Sequence, residues 1–283
     1  MASRSFILIL IILIFSIANY YQLITKFQEI DEKLQKPPPD TLLSEKHEIR
    51  ELRRHALLSA DKIRADILKH AIGRDNQRFY PKLKEEAFCD NMIRIGDKGD
   101  GGKVVCNPDK VKEGCTLLSL GLNNQVDYDL KIWNVTDGKC VIIGADKDPQ
   151  NMQTVRAYAS IKGRLFSGKI PDELGILELL ERSHRRKEVE ILKIDIEGSE
   201  HEGLEPFLKE AFVCQILIEV HGWPPEHLEM LQKIARYGFR LFNIEPNPLC
   251  SRCCEYSFIN ELCMTQFGAV PLSINIPQYI AFK

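Results

Sequence analysis

The 283-residue sequence has no excess of basic residues: 38 lysines and arginines are balanced by 40 aspartates and glutamates, for a formal net charge of -2. Domains that grip phosphate backbones usually carry a clear basic surplus, so the composition argues against nucleic acid as a partner. The sequence also has no internal repeat and no low-complexity tract. Its 44% hydrophobic and 28% charged residues are typical of a folded globular protein and exclude wholesale disorder.

The N-terminus carries a strongly apolar segment, residues 6–15, preceded by Arg4 and followed by a small-residue triplet that ends at Ala18. This pattern is typical of a secretory signal peptide cleaved after that alanine. If the apolar segment continues through Ile24, it reaches about 19 residues, which is enough to cross a bilayer. We favour a membrane anchor over residues 1–25, because a helical pattern follows directly. Either alternative places the rest of the chain in the secretory pathway, as a single-pass type II membrane protein of the Golgi or ER lumen or as a secreted protein.

A helical stalk is predicted over residues 26–79. Apolar residues recur at helical spacing on both sides of the three prolines at 37–39, and the second stretch runs from about Ser44 to Ile72. Such a stripe on a long helix packs on a partner or on a second copy of the chain. The alternative is a solvated helix that lies on the domain that follows.

The nine cysteines agree with an oxidising compartment. Three of them open short apolar runs and are interpreted as small buried strand residues: Cys115, Cys140 and Cys214. The other six fit three disulfide bonds, and we expect Cys89 to pair with Cys106 across a glycine-rich turn. The last four cysteines fit either disulfides or a zinc site, although no histidine accompanies them: Cys250, Cys253, Cys254 and Cys263. A glycosylation sequon begins at Asn134.

From about residue 80 to the end, short apolar runs alternate with helical patterns. The predicted strands are 115–120, 140–145, 163–167, 189–195 and 213–220, with 239–244 and 279–282 completing seven. The predicted helices are 123–134, 149–160, 172–185, 200–211 and 226–237. This alternation predicts an α/β domain with a mostly parallel, doubly wound sheet. Ligands of such sheets lie at the carboxyl ends of the strands.

Two of these strand ends have the residues of a nucleoside site. The first strand ends at Gly121, where a glycine lets the backbone turn tightly beside a nucleoside or a phosphate. Asn123 and Asn124 follow in place of the further glycines of the dinucleotide fingerprint, so pyrophosphate binding is poorly supported. The second strand ends at Asp146, whose carboxylate can accept both ribose hydroxyls of an adenosine ligand. Alternatively, this aspartate only opens the next helix.

The fourth and fifth predicted strands end at the same edge of the sheet and carry four more polar groups. Asp195 and Glu197 follow the fourth strand two residues apart, which places them on the same side of the pleat. Glu219 and His221 end the fifth strand with the same spacing. Such a convergence can form a general-base or a metal site. A single group of this kind would more often be structural.

These residues belong to segments that resemble the FkbM-type S-adenosylmethionine-dependent methyltransferases. The segments are K-I-D-I-E-G-S-E at 193–200, I-L-I-E-V-H at 216–221 and C-V-I-I-G-A-D-K-D-P-Q-N at 140–151. Within the family, an animal branch called methyltransferase-like protein twenty-four is similar in three further segments. These are 89–106, S-L-G-L-N-N at 119–124 and C-C-E-Y-S-F-I-N at 253–260. The resemblance covers roughly residues 80–283.

The resemblance implies a class I methyltransferase fold, Rossmann-like, with S-adenosylmethionine as the cofactor. Gly121, Asn123 and Asp146 would then line the cofactor site. The catalytic side, near the methyl acceptor, would hold Asp195, Glu197, Glu219 and His221. We assign no metal ion to the site. The implied reaction is O-methylation. The predicted lumenal location favours a glycan, a lipid or a secreted small molecule as the acceptor.

Two other functions fit parts of the sequence. A Golgi-type glycosyltransferase would use Asp146 and Asp148 as an Asp-x-Asp motif for Mn²⁺ and a nucleotide sugar, but it leaves the acidic motif at 193–200 unexplained. A catalytically inactive binding module would use the same sheet and disulfides only to display a surface.

Overall fold

The computed structural model describes residues 19–26, 39–97 and 101–278, with the side chains of 39–45 left out. By its internal contacts the chain divides into two units, residues 1–51 and 52–283. In the first unit, residues 19–26 are helical and expose Tyr20, Tyr21 and Leu23.

The prediction of a single-pass membrane protein is wrong. Over the described ranges, no helix combines the length and the apolar character that a membrane crossing requires. The apolar segment 6–15, on which the prediction was based, lies outside the described residues.

The helices and strands are numbered here in chain order. The helices are α1 Pro39–His70, α2 Asn76–Phe79, α3 Asp127–Val135, α4 Met152–Ser160, α5 Ile176–Arg182, α6 Glu200–Glu210, α7 Pro224–Arg236 and α8 Met264–Phe267. The strands are β1 Ala87–Phe88, β2 Met92–Ile95, β3 Lys103–Cys106, β4 Thr116–Leu120, β5 Val141–Asp146, β6 Arg164–Ser167, β7 Glu188–Ile194, β8 Phe212–His221, β9 Phe239–Pro246, β10 Cys253–Asn260 and β11 Val270–Pro271.

Seven strands form the central sheet in the order β6-β5-β4-β7-β8-β10-β9. The first five are parallel, and β10 lies antiparallel between β8 and β9. The predicted mostly parallel sheet of seven strands is therefore confirmed. Its last strand is Cys253–Asn260 rather than the predicted 279–282, which lies outside the described residues. Strand β10 was missed because two cysteines, a glutamate and a serine interrupt its apolar pattern.

The sheet is covered on both faces, which explains why its parallel strands are mostly apolar. Alternate residues of each strand enter two different cores, as the period of two in a strand requires. Leu118 and Leu192 belong to one core, while Leu117 and Ile191 belong to the other. The carboxyl ends of β4 and β7 lie next to each other, where the connections leave in opposite directions along the sheet. A ligand cleft is expected at that edge.

The last turns of α1 pack on the first of these cores. Ile67 is fully buried in it, and Ile63 packs against it from a partly buried position. For the part of the predicted stalk after residue 51, this supports the alternative in which the helix lies on the following domain. Self-association through the helix stays a prediction.

Four disulfide bonds join the cysteines in a pattern that sequence reasoning gave only in part. The predicted bond between Cys89 and Cys106 is present, with Cα atoms 5.9 Å apart. The other bonds are Cys115–Cys140, Cys214–Cys263 and Cys250–Cys253. Cys115, Cys140 and Cys214 are buried, as predicted, but leaving them out of the disulfide pairing was wrong. The zinc alternative loses three of its four cysteines to disulfides.

The register of the sheet explains the first of these errors. Thr116 pairs with Val141 in parallel strands, so the cysteines just before them lie side by side. Cys254 remains a free, buried thiol.

Candidate active site

The carboxyl ends of the parallel strands open into one cleft of about 940 Å³. This volume lies in the range of cofactor and substrate sites. All seven residues predicted for the site line the cleft: Gly121, Asn123, Asp146, Asp195, Glu197, Glu219 and His221. The fold therefore brings the predicted cofactor residues and the predicted acceptor residues together.

The turn at Gly121 is shaped by the neighbouring strand. Its φ angle is +79°, and a Cβ atom built on it would lie 1.6 Å from the carbonyl oxygen of Asp195. No side chain fits there, and an L residue would also be strained at that φ. Sequence reasoning attributed this glycine to a ligand, whereas the closeness of the ends of β4 and β7 is enough to require it.

The two asparagines after this turn adopt a backbone conformation that is more usual for glycine. Asn123 and Asn124 have φ angles of 46° and 58°, in the left-handed region that asparagine tolerates better than most residues. The backbone N–H of Asn123 donates to Oδ2 of Asp146 at 2.7 Å, and that of Asp148 donates to Oδ1 at 3.0 Å. Because a carboxylate oxygen accepts more than one hydrogen bond, Asp146 can still receive the hydroxyls of a ribose.

The fit of an adenosine cofactor can be judged from this half of the cleft. Asp146 is 8% exposed and lies at the end of the strand next to β4, where a doubly wound sheet binds a nucleoside. Its two anchored oxygens fix the carboxylate for hydroxyl recognition. The residues present therefore fit S-adenosylmethionine.

A buried lysine joins two carboxylates at the other half of the cleft. Lys103, only 1% exposed, donates from Nζ to Oε1 of Glu255 at 2.6 Å and to Oδ2 of Asp195 at 3.3 Å. Burial acts to lower the pKa of Lys103, but the two carboxylates raise it above its usual value. Burial acts to raise the pKa of Asp195, but the charges of Lys103 and Lys193 lower it. The aspartate is therefore held in its ionised form.

Glu219 lies next to this ion pair with the opposite protonation preference. It is 3% exposed, and its Oε1 accepts a hydrogen bond from Nδ2 of Asn247 at 2.9 Å. Burial, followed by the negative charges of Asp195 and Glu255, raises the pKa of Glu219 to about 8. A buried carboxyl with this pKa exchanges protons near neutral pH, as a general base must.

His221 lies between two glutamates. Its Nδ1 is 3.5 Å from Oε1 of Glu200, and its Nε2 is 3.5 Å from Oε2 of Glu197. Burial acts to lower the pKa of His221, but its contact with Glu200 and the other nearby acids raise it to about 9. The imidazole is therefore a cation near neutral pH.

Three groups of side chains come close enough to share a metal ion. One contains Cys253, whose sulfur is in a disulfide. In the second, Asp195 and Glu255 already share the ammonium group of Lys103. The third depends on Glu197, whose side chain is 78% exposed. The Asp146–Asp148 motif of the glycosyltransferase alternative contributes to no such group within the described residues.

Sequence reasoning missed several residues of this site. The structure adds Lys103, Lys193, Glu200, Asn247 and Glu255. Lys193 is a charged residue inside a predicted strand, a position that needs a partner because burying an unpaired charge is costly. That signal was available in the sequence for Lys193, whereas Lys103 and Glu255 lie on strands that were not predicted.

The strand order and the position of the cleft define a Rossmann-like fold of the class I methyltransferase type, as predicted. The model of the methyltransferase FkbM domain matches residues 70–241, which is more than half of the chain. The chain belongs to this family. The predictions of an FkbM-type methyltransferase and of S-adenosylmethionine as its cofactor are confirmed, and the glycosyltransferase alternative is not supported.

Several solved structures are similar to this chain. Fibrillarin pre-rRNA processing protein of Methanococcus jannaschii is 14% identical, with 63% of this chain and 96% of that chain covered and a TM-score of 0.40. Precorrin-6y C5,15-methyltransferase of Geobacter metallireducens is 9% identical, with coverages of 55% and 86% and a TM-score of 0.38. Fibrillarin of Aeropyrum pernix, solved with natively bound S-adenosyl-L-methionine, is 15% identical, with coverages of 52% and 67% and a TM-score of 0.34. With TM-scores of this size, they add nothing to the family assignment. No curated protein matches the chain.

Proposed function

We propose that this protein methylates a hydroxyl oxygen of a glycan, a lipid or another small molecule. The observation that carries the proposal is the single cleft that joins the nucleoside-type residues of β4 and β5 to the buried acid–base groups of β7 and β8. Glu219, whose pKa is raised to about 8 by burial and by the nearby carboxylates, favours an enzyme over an inactive binding module.

The cofactor half consists of the Gly121 turn, Asn123 and Asp146. S-adenosylmethionine, when bound, supplies an electrophilic methyl group whose bond to sulfur breaks as the bond to the acceptor oxygen forms. Asp146 would accept the ribose hydroxyls with the lone pairs that the two backbone N–H groups leave free. Asn123 supports this role, because its left-handed backbone directs its N–H group to that carboxylate.

The acceptor half consists of Asp195, Glu197, Glu219 and His221. Glu219 would take the proton of the acceptor hydroxyl, because its pKa of about 8 suits it for base catalysis. Asn247 fixes one oxygen of this carboxyl group. Asp195 stays ionised beside it, and the His221 cation, held by Glu200, can donate a hydrogen bond to an oxygen of the acceptor.

Titration calorimetry of the full chain with S-adenosylmethionine tests the cofactor half. Wild-type protein should bind, and Asp146→Ala should abolish detectable binding. Asp148→Ala is the matched control, because it removes an exposed carboxylate of the same loop and keeps the backbone N–H that bonds to Asp146. A folded Asp146→Ala variant that binds as tightly as wild type would remove the basis of this assignment.

Several finer features stay predictions. The resemblance to the methyltransferase-like protein twenty-four branch is one, and the division into segments 1–25, 26–79 and 80–283 is another. A function in the secretory pathway agrees with the four disulfide bonds, because such bonds persist in oxidising compartments. Glycosylation at Asn134 agrees with the exposure of that residue.

A further inference from the structure

Lys103 is a buried cation on a strand that lies outside the central sheet. It lies on β3, which pairs with β2 in a separate two-stranded sheet. Its ammonium group nevertheless reaches Asp195 at the carboxyl end of β7 and Glu255 on β10. Burying a lysine is expensive unless it is paired, so this position is not explained by the hairpin alone.

The backbone on the C-terminal side of Lys103 is fastened to the central sheet. The Ser257 hydroxyl on β10 donates to the carbonyl of Val104 at 2.8 Å. Gln215 on β8 accepts a hydrogen bond from the N–H of Cys106 at 3.0 Å and donates to its carbonyl at 2.8 Å. The disulfide between Cys106 and Cys89 adds a covalent link next to these bonds. The lysine therefore has a fixed origin, and its ammonium group is aimed at the carboxylates.

The charged groups that face the Asp195–Glu219 carboxyl pair come from four strands. Lys103 is on β3, Lys193 on β7, His221 on β8 and Glu255 on β10. The ammonium group of Lys193 is directed elsewhere, since it donates to the carbonyl of Gly121 at 3.0 Å. Among the described residues, Lys103 is the cation that forms an ion pair with Asp195.

We propose that Lys103 is a positioning residue of the methyltransferase site, which orients Asp195 and sets the charge of the Asp195–Glu219 pair. The role of the pair in accepting a proton rests on the proposed function, but the coupling to Lys103 does not. The β2–β3 hairpin is then part of the active site. Since Lys103 lowers the pKa of both carboxyl groups, removal of its charge must raise the pH at which they ionise.

The test is an infrared titration of the full chain that follows the band of protonated carboxyl groups, assigned to Glu219 by subtracting the spectrum of Glu219→Gln. The reference protein is Glu255→Gln, so that loss of the lysine does not leave Glu255 as an unpaired buried charge. Adding Lys103→Met should raise the midpoint of the titration by about one pH unit or more, the usual effect of an adjacent opposite charge. Adding Lys110→Met, an exposed lysine on the 3₁₀ turn after β3, should leave it unchanged.

A second variant protects the test against misfolding. Lys103→Gln in the same reference protein keeps a hydrogen-bond donor for Asp195 without the charge, and it should produce the same upward shift. A folded variant of either kind whose midpoint equals that of the reference would overturn the proposal. The titration needs neither cofactor nor acceptor. Failure of wild-type protein to bind S-adenosylmethionine would refute the proposed function and leave the result for Lys103 intact.

Discussion

Replacing Gly121 with alanine should destabilise the protein far more than the addition of one methyl group suggests. The new Cβ would lie 1.6 Å from the carbonyl oxygen of Asp195, while Cβ contacts shorter than 3.0 Å essentially do not occur in real proteins. The obstacle is backbone, so no side-chain rotation relieves it. The end of β4 must therefore move away from the end of β7.

The cost can be worked out from the bonds that this movement breaks. Asp195 N donates to Leu120 O at 3.0 Å, Gly121 N to Ala145 O at 2.9 Å, and Lys193 Nζ to Gly121 O at 3.0 Å. At about 1 kcal/mol for each hydrogen bond, plus about 1–2 kcal/mol for an L residue in the left-handed region, the loss is about 4–5 kcal/mol. Since domains are typically stable by about 5–15 kcal/mol, the variant should be close to unfolding.

Gly114→Ala is the matched control for this prediction. Gly114 also has a positive φ, +71°, but its Cβ would meet no atom within 4 Å. It should therefore lose only the conformational part, about 1–2 kcal/mol. Urea unfolding, followed by circular dichroism, measures the free energy of unfolding of both variants. Equal losses for the two would refute the reasoning that the carbonyl of Asp195 is what requires a glycine at 121.

Three further perturbations have defined outcomes. Burial lowers the pKa of His227, which lies between the hydroxyls of Tyr80 and Tyr256, from 6.5 to about 4. The unfolded chain therefore binds a proton that the folded chain does not, and the free energy of unfolding should fall by about 3 kcal/mol from pH 7 to pH 4. Urea titrations at the two pH values measure this loss. If His227→Gln lost as much stability as wild type, the prediction would be contradicted. The double variant Cys89→Ser, Cys106→Ser removes a disulfide between residues 17 positions apart, and its free energy of unfolding should fall by about 3 kcal/mol in the same assay. An unchanged free energy of unfolding would mean that the bond does not constrain the unfolded chain. Because Glu219 ionises near pH 8, the methyl-transfer rate should rise as the pH increases through that value. Glu219→Gln should abolish this rise. If the variant kept the same pH dependence, Glu219 would be excluded as the base.

Hydrophobic patterning predicted the sheet because its strands are buried on both faces. The runs that became β4, β5, β7 and β8 are apolar almost throughout, so their existence and direction followed from the alternation of strands and helices. Strand β10 contains two cysteines, a glutamate and a serine among its eight residues, which hides its apolar character. The glutamate pairs with Lys103, and the serine donates to the carbonyl of Val104. The local sequence pattern does not reveal these contacts.

The candidate site was predictable where the residues follow a strand directly. Asp146, Asp195 and Glu219 could be placed together because parallel strands end at one edge of the sheet. The lysine that pairs with Asp195 lies 92 residues away in sequence, and only the fold brings the two together. The disulfides show the same limit, because Cys214 and Cys263 are 49 residues apart and meet through the pairing of β8 with β10.

The match to the family model ends at residue 241, before several residues that line the cleft. Residues 70–241 contain Gly121, Asn123 and Asp146, and they therefore include the whole predicted cofactor half. The four residues predicted for the acceptor half also lie in this range, whereas Glu255, which shares Lys103 with Asp195, lies beyond residue 241. Four residues that line the cleft also lie beyond residue 241: Asn247, Leu249, Cys250 and Cys253. The disulfide between the last two closes a short loop at the cleft, directly after Leu249, which is 80% exposed. The segment after residue 241 therefore forms part of the cleft wall, and we expect it to influence which acceptor enters.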